Sequence, residues 1–178
     1  MKGRIEIITG CMFAGKSTEL LRRVRKSNKT VLLIKPRMDF RYAKSSINTH
    51  SGEQIDAIVV NTVAEILNKL DDINLVAIDE AQFFDKSILE DCLKISDMGI
   101  NIIIAGLEFD YLHEKFDSMK NLLNVADSIT KLQAICAECS DSASYSHRIV
   151  NQKSKILVGH KDCYEPLCAQ CYIKKNVK

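Results

Sequence analysis

The sequence predicts an α/β fold: a parallel sheet flanked by helices, with a small cysteine-bearing unit at its C-terminal end. Three observations predict it. Short apolar runs alternate with helix-patterned stretches up to about Lys131. The segment Gly10-Cys11-Met12-Phe13-Ala14-Gly15-Lys16-Ser17-Thr18 fits G-x-x-x-x-G-K-[ST] and lies between an apolar run and a helical one. Beyond it, Cys136-x-x-Cys139 and Cys168-x-x-Cys171 give two paired cysteine knuckles.

In chain order, Ile5-Glu6-Ile7-Ile8 reads as a buried first strand. The helix after Ser17 carries apolar residues at helical spacing. Thr30–Lys35 reads as a second strand stopped by Pro36, Ile55–Val60 as a third, Leu75–Ile78 as a fourth and Asn101–Ala105 as a fifth. Helical stretches follow Thr62, Asp85 and Asp117, and Thr62 with Glu65 makes a capping box. Strands separated by helices pair in parallel through right-handed crossovers. After Lys131 helical periodicity fades, and Ala143–Val150 with Lys155–Val158 fits a small hairpin. Lys174–Lys178 reads as a frayed basic tail. The organisation expected is an α/β unit over residues 1–131 and a metal-stapled unit over 132–178, since so short a segment cannot build a sufficient core unaided.

Composition narrows the function. With 178 residues and 46% hydrophobic content, one domain with an appendage is amply supplied with core. A net charge of only +2 supplies no field for tight, nonspecific binding of polymeric nucleic acid. No apolar run reaches bilayer length, and Met1-Lys2-Gly3-Arg4 leads straight into the first strand without room for a signal peptide. Seven cysteines, four of them in paired spacing, favour metal over disulfides and point to the cytoplasm.

The glycine-rich turn is built for phosphate. Its main-chain N–H groups converge on phosphate oxygens, the helix N-terminus adds a favourable dipole, Lys16 reaches the β- and γ-phosphates, and Ser17 binds Mg²⁺. Val76-Ala77-Ile78-Asp79-Glu80 is an apolar strand ending in two acids beside it. Asp79 fits a place in the metal shell, Glu80 fits a base facing a nucleophile, and Gln82 fits a group orienting a phosphate or hydroxyl. Of Phe83 and Phe84, one suits the core and the other a pocket wall. Asp39 and Arg41 fit metal and phosphate contacts, although a surface ion pair accounts for them equally well. Phe109, Tyr111 and Phe116 suit a flat base or ordinary packing in equal measure. Four cysteines fill a tetrahedral zinc shell with no open position, so the zinc is structural; free or redox pairs are the alternative. Cys92 fits a buried helix position. Gly159-His160-Lys161-Asp162-Cys163-Tyr164 reads as a loop able to close on a ligand.

Together these motifs resemble the thymidine kinases of the type shared by bacteria, vertebrate cytosol and poxviruses, from Gly3 to about Tyr172. The glycine-rich loop keeps that family's Met-Phe pair, Asp79-Glu80-Ala81-Gln82-Phe83 is similar to its D-E-[AG]-Q-F, and Tyr164-Glu165-Pro166 precedes the second knuckle. The resemblance implies a P-loop NTPase core of the RecA-like type with a zinc-ribbon-like lid. It implies transfer of the γ-phosphoryl group of Mg-ATP to the 5′-hydroxyl of thymidine, and of deoxyuridine, giving thymidine monophosphate for nucleotide salvage and DNA synthesis. Glu80 is then the proton acceptor, with Lys16 on the phosphates and Asp39 and Arg41 in the metal and nucleotide site. Tyr111, Phe116 and Tyr164 face the nucleoside, and the main chain of Lys155, Ile156, Leu157, Val158 and Gly159 reads the pyrimidine edge. The resemblance further implies a homotetramer inhibited by thymidine triphosphate. Where the family reads G-L-D-x-D-F-R-G-x-P-F, this chain has Glu108, Tyr111, Leu112, His113 and Lys115 at the changed positions, and His160 replaces a glycine. A P-loop ATPase whose zinc ribbon binds nucleic acid or protein is the competing reading. The acid- and serine-containing run from Cys139 to Lys155 counts against it.

Overall fold

The computed structural model describes residues 1–37, 46–48, 54–151 and 162–176. β1 (Ile5–Gly10) leads through the glycine-rich turn into α1 (Lys16–Lys26), followed by β2 (Val31–Pro36). β3 (Ser46–Asn48) and β4 (Gln54–Asp56) form a short antiparallel pair, and β5 (Ile58–Val60) returns to the main sheet. Then come 3₁₀ turns over Val63–Lys69, β6 (Leu75–Ile78), α2 (Ile88–Asp97), β7 (Asn101–Gly106), α3 (Asp117–Val125) and β8 (Ser128–Leu132). The six-stranded sheet runs β5-β2-β6-β7-β1-β8, and each of its pairings is parallel.

Both faces of the sheet are covered, which is why its central strands are apolar throughout rather than alternating. Ile5, Ile7, Val76, Ile78, Ile102 and Ile104 pack on one side against Ile88, Cys92 and Ile95 of α2 and Met119 and Leu122 of α3. On the other side Ile8, Leu33, Ala77 and Ile103 meet Leu20 and Leu21 of α1. Leu20 and Leu21 are wholly buried, each worth on the order of 2 kcal/mol of apolar burial. The parallel topology brings the ends of β1, β6 and β7 to a single sheet edge, the usual place for a site in such folds.

Beyond β8, β9 (Ala134–Ile135) pairs with β10 (Ser142–Ala143), and β11 (Tyr145–Arg148) pairs with β12 (Tyr164–Leu167) before α4 (Ala169–Asn176). Its apolar cluster is small, centred on Cys136, Ala143 and Leu167. Among the described residues, no helix is long and apolar enough to cross a membrane.

Five local expectations change. The expected third strand divides at Ala57, because Asp56 is exposed and marks the switch from β3 to β2 as partner. The capping box at Thr62 is present, with Glu65 accepting the Asn61 and Thr62 N–H groups, yet the turns after it are 3₁₀. A capping box sets where turns begin, not their pitch. β8 is a sixth strand that the apolar runs do not announce: at the sheet edge, Ser128, Thr130 and Lys131 leave it few apolar residues. β11 takes β12 as its partner, while Lys155–Val158, the partner expected, lies outside the described residues. The basic tail is helical to Asn176, and Lys175 binds Glu165 at 2.7 Å and Glu138 at 2.6 Å.

Candidate active site

The glycine-rich turn is shaped by two glycines for different reasons. Gly15, the residue before α1, has φ of 82°, a left-handed conformation that costs glycine little. At Gly10 a side chain would bring its Cβ to 2.4 Å from the Leu132 carbonyl oxygen of β8, so close passage of the backbone requires its absence. Lys16 Nζ donates to the Cys11 carbonyl at 2.8 Å. Two further bonds fasten the turn to the C-terminal segment: the Met12 N–H donates to Ser146 Oγ at 3.0 Å, and the Cys11 thiol to the Ala143 carbonyl at 3.3 Å. Burial pushes the Cys11 thiol up, so it stays protonated and inert.

Asp79 and Glu80 follow the wholly buried β6. The Asp79 N–H donates to the Ile34 carbonyl at 3.0 Å, carrying the β2–β6 ladder one residue further. Its Oδ1 accepts the Ser17 hydroxyl at 3.1 Å and the Glu80 N–H at 3.0 Å. Burial first, and the neighbouring Glu80 charge second, push this carboxyl up to about 7. Such a carboxylate, next to a serine hydroxyl and close to Lys16, fits a hard divalent cation, whose charge would offset the cost of burial.

Glu80 itself has φ of 52°, which is left-handed and uncommon for a residue with a side chain. Strain of roughly 1 kcal/mol or more is tolerated there because the surroundings hold it. Gln82 Nε2 donates to Glu80 Oε2 at 2.5 Å, and Gln82 Oε1 accepts the Leu107 N–H at 2.9 Å. The buried amide therefore ties the acid to the start of the loop after β7. Gly106 makes this possible, since a Cβ there would meet Met119 Sδ at 2.7 Å and Gln82 Oε1 at 3.1 Å. Phe84 is buried in the core, as expected of one of the pair, and Phe83 is half-buried.

The loop from Leu107 to Phe116 closes on itself. Asp110 Oδ1 accepts the N–H groups of Leu112 and Glu114, each at 2.9 Å, and Phe116 N–H donates to the Glu108 carbonyl at 3.0 Å. His113 has φ of 62°, stacks on Phe109 at 4.1 Å between centroids, and meets Tyr145 at a tilt, at 4.5 Å. Tyr145 in turn stacks on Tyr172, whose hydroxyl donates to the Tyr111 carbonyl at 2.7 Å. Glu108 is held below the usual carboxylate range: burial would raise it, but Lys131 and Lys115, each at 3.1 Å, outweigh that.

The structure brings Tyr111 and Tyr164 together through Arg148. The guanidinium carbon lies 3.6 Å from the Tyr111 ring centroid, and Nε and Nη2 donate to the Tyr164 hydroxyl at 3.2 and 2.6 Å. Phe116 is half-buried and packs against the main core beside α3. Asp39, Arg41, His160 and the segment Lys155, Ile156, Leu157, Val158, Gly159 lie outside the described residues.

The four cysteines of the two knuckles converge. Their sulfurs all lie within 4.8 Å of one another, with Cys139 and Cys168 3.6 Å apart. Zn–S bonds of about 2.3 Å in a tetrahedron place sulfurs about 3.8 Å apart, so this cluster fits such an ion. Burial raises the Cys136 thiol, but main-chain donors from Cys168, Cys139 and Glu138 outweigh it and bring it down to about 6. Amide donors aimed at a sulfur favour the thiolate, the form that binds metal. Cys92, by contrast, sits buried in α2 and is pushed up to about 12, mainly by burial.

The thymidine kinase family model matches residues 3–172. The chain belongs to the thymidine kinase family. A thymidine kinase of Bacteroides thetaiotaomicron is 40% identical over 176 residues, covering 97% of this chain and 88% of that protein. One from Porphyromonas gingivalis is 40% identical, covering 97% and 86%. Among solved structures, the Legionella pneumophila ATPase DotB aligns with a TM-score of 0.47 at 16% identity, over 80% of this chain and 44% of that one, too slight a likeness to argue from.

As a thymidine kinase family member, the chain handles its departures locally. His113 stands where the family pattern has glycine and keeps the left-handed backbone, and its ring contacts with Phe109 and Tyr145 offset a cost of about 1 kcal/mol. Sequence reasoning missed Ser146 and Arg148, which no motif marks. The one signal available is strand alternation through Tyr145–Arg148, which places both on the same face. It also missed that the Gln82 side chain is engaged by Glu80 and Leu107.

Proposed function

We propose that this chain transfers the γ-phosphoryl group of ATP to the 5′-hydroxyl of thymidine, and also of deoxyuridine. The observation that carries the reading is the fixed Glu80 carboxylate, oriented by Gln82 beside an Asp79–Ser17 pair at the foot of the glycine-rich turn. Glu80 takes the 5′-hydroxyl proton as that oxygen bonds to the γ-phosphorus. The bond from γ-phosphorus to the bridging oxygen breaks, and ADP leaves with its electron pair. Lys16 and main-chain N–H groups of the turn over Gly10–Thr18, apart from that of Met12, hold the phosphates, with Asp39 and Arg41 assisting from the loop after β2. Magnesium, when bound by Ser17 and Asp79, offsets charge on the β- and γ-phosphate oxygens.

Tyr111, Phe116 and Tyr164 form the nucleoside walls in this reading, and the main chain of residues 155–159 reads the base edge. Residues 1–131 form the catalytic unit and 132–178 a lid. Zinc on Cys136, Cys139, Cys168 and Cys171 supplies a structural crosslink for the lid. A homotetramer in the cytoplasm, inhibited by thymidine triphosphate and serving nucleotide salvage, completes the proposal. Incubation with Mg-ATP and a panel of nucleosides tests it. Thymidine monophosphate with equimolar ADP is the expected product, and phosphate release with every nucleoside unmodified contradicts it.

A further inference from the structure

β11 carries two inward side chains to which the reaction scheme gives no part. Ser146 and Arg148 are both buried and, two residues apart, share a face of the strand. Ser146 holds the Met12 amide of the glycine-rich turn. Arg148 reaches the rings of Tyr111 and Tyr164. One ring comes from the loop after β7 and the other opens β12, so neither segment alone fixes their spacing. Arg148 is 8% exposed, so its charge carries a desolvation cost. A planar fork justifies that cost by making contacts an ammonium cannot: lying over one ring at 3.6 Å and donating two bonds to the hydroxyl of another.

We infer that Arg148 is a positioning residue for the acceptor pocket. Its plane fixes the face of Tyr111, its fork fixes the Tyr164 hydroxyl, and their spacing is referenced to the glycine-rich turn through Ser146 on the same strand. The inference rests on the proposed role of the two tyrosines as nucleoside walls. It deepens that reading by naming what sets the pocket's width. Loss of the fork loosens the nucleoside while leaving the phosphate donor held by its own loop.

Steady-state kinetics of wild type, Arg148→Lys, Tyr164→Phe and the double variant test this. Arg148→Lys keeps the charge and removes the fork. It should raise the thymidine KM about tenfold, with the ATP KM within about twofold of wild type. Tyr164→Phe keeps the ring and should raise the thymidine KM in the same direction. The double variant should show less than the product of the two effects, because both remove the same bonds. A thymidine KM unchanged in both single variants overturns the inference. So does a rise in both substrates' KM together with a fall in melting temperature, the mark of a purely structural role. If Arg148→Lys does not fold, Tyr164→Phe decides alone, and an unchanged thymidine KM there overturns it. A wild type that turns over no nucleoside overturns the proposed function and this inference with it, whereas an active wild type with unaffected variants removes the inference only.

Discussion

The side-chain amide of Gln82 donates to the Glu80 carboxylate at 2.5 Å while accepting the Leu107 N–H at 2.9 Å. One buried residue thus links the candidate base to the loop that carries Tyr111. Gln82→Met keeps the volume and removes both bonds. It leaves a main-chain donor without its partner, a loss of about 1–3 kcal/mol. The expected outcome is a lower midpoint in urea unfolding and a kcat that falls with little change in the ATP KM. An unchanged unfolding midpoint would show that the link is not structural.

The two classes of cysteine should separate cleanly. Purified protein is expected to carry about one zinc per chain, measured by elemental analysis. Cys136→Ser removes one of four converging sulfurs and should lose the metal and lower the melting temperature. Cys92→Ala, in the core, should keep the metal. Retention of full zinc by Cys136→Ser would remove that residue from the ligand set.

Glu19 gives a pH dependence with a definite sign. Hydrogen bonds from Arg22 chiefly, and from Arg23, hold its carboxyl down to about 2 from an ordinary 4.5. A folded-state value below the unfolded one means the stabilisation is present above about 4.5 and lost as pH falls toward 2. Arg23 also reaches Glu6 of β1 and Thr130 of β8, so the cluster fastens α1 to the sheet edge. Glu19→Gln should melt at a lower temperature than wild type at neutral pH, with the two curves converging near pH 2. A difference that persists at low pH would assign the effect to packing instead.

What could be read beforehand divides by whether it is local in the chain. The glycine-rich turn, the acid pair after β6 and the cysteine knuckles are short spacings whose chemistry is fixed by neighbours, and they stand where expected. β8 was hidden because an edge strand, with Ser128, Thr130 and Lys131 among its five residues, lacks the apolar run that marks a central one. Glu80 could be named from its place after β6, but its left-handed backbone and Gln82 partner could not. The Gln82 side chain sits where Gly106 leaves room for it. Ser146 and Arg148 were illegible for a related reason: their partners lie on segments far away in sequence, and only the fold brings them together.

In the proposed reaction, Glu80 removes the hydroxyl proton during phosphoryl transfer. Single-turnover transfer from labelled ATP to saturating thymidine, comparing wild type with Glu80→Gln, tests it most directly. The variant keeps the shape of the side chain and removes its basicity. Its transfer rate should be lower by about 10²–10⁴-fold, with thymidine affinity nearly unchanged. A transfer rate equal to that of the wild type would contradict that role for Glu80.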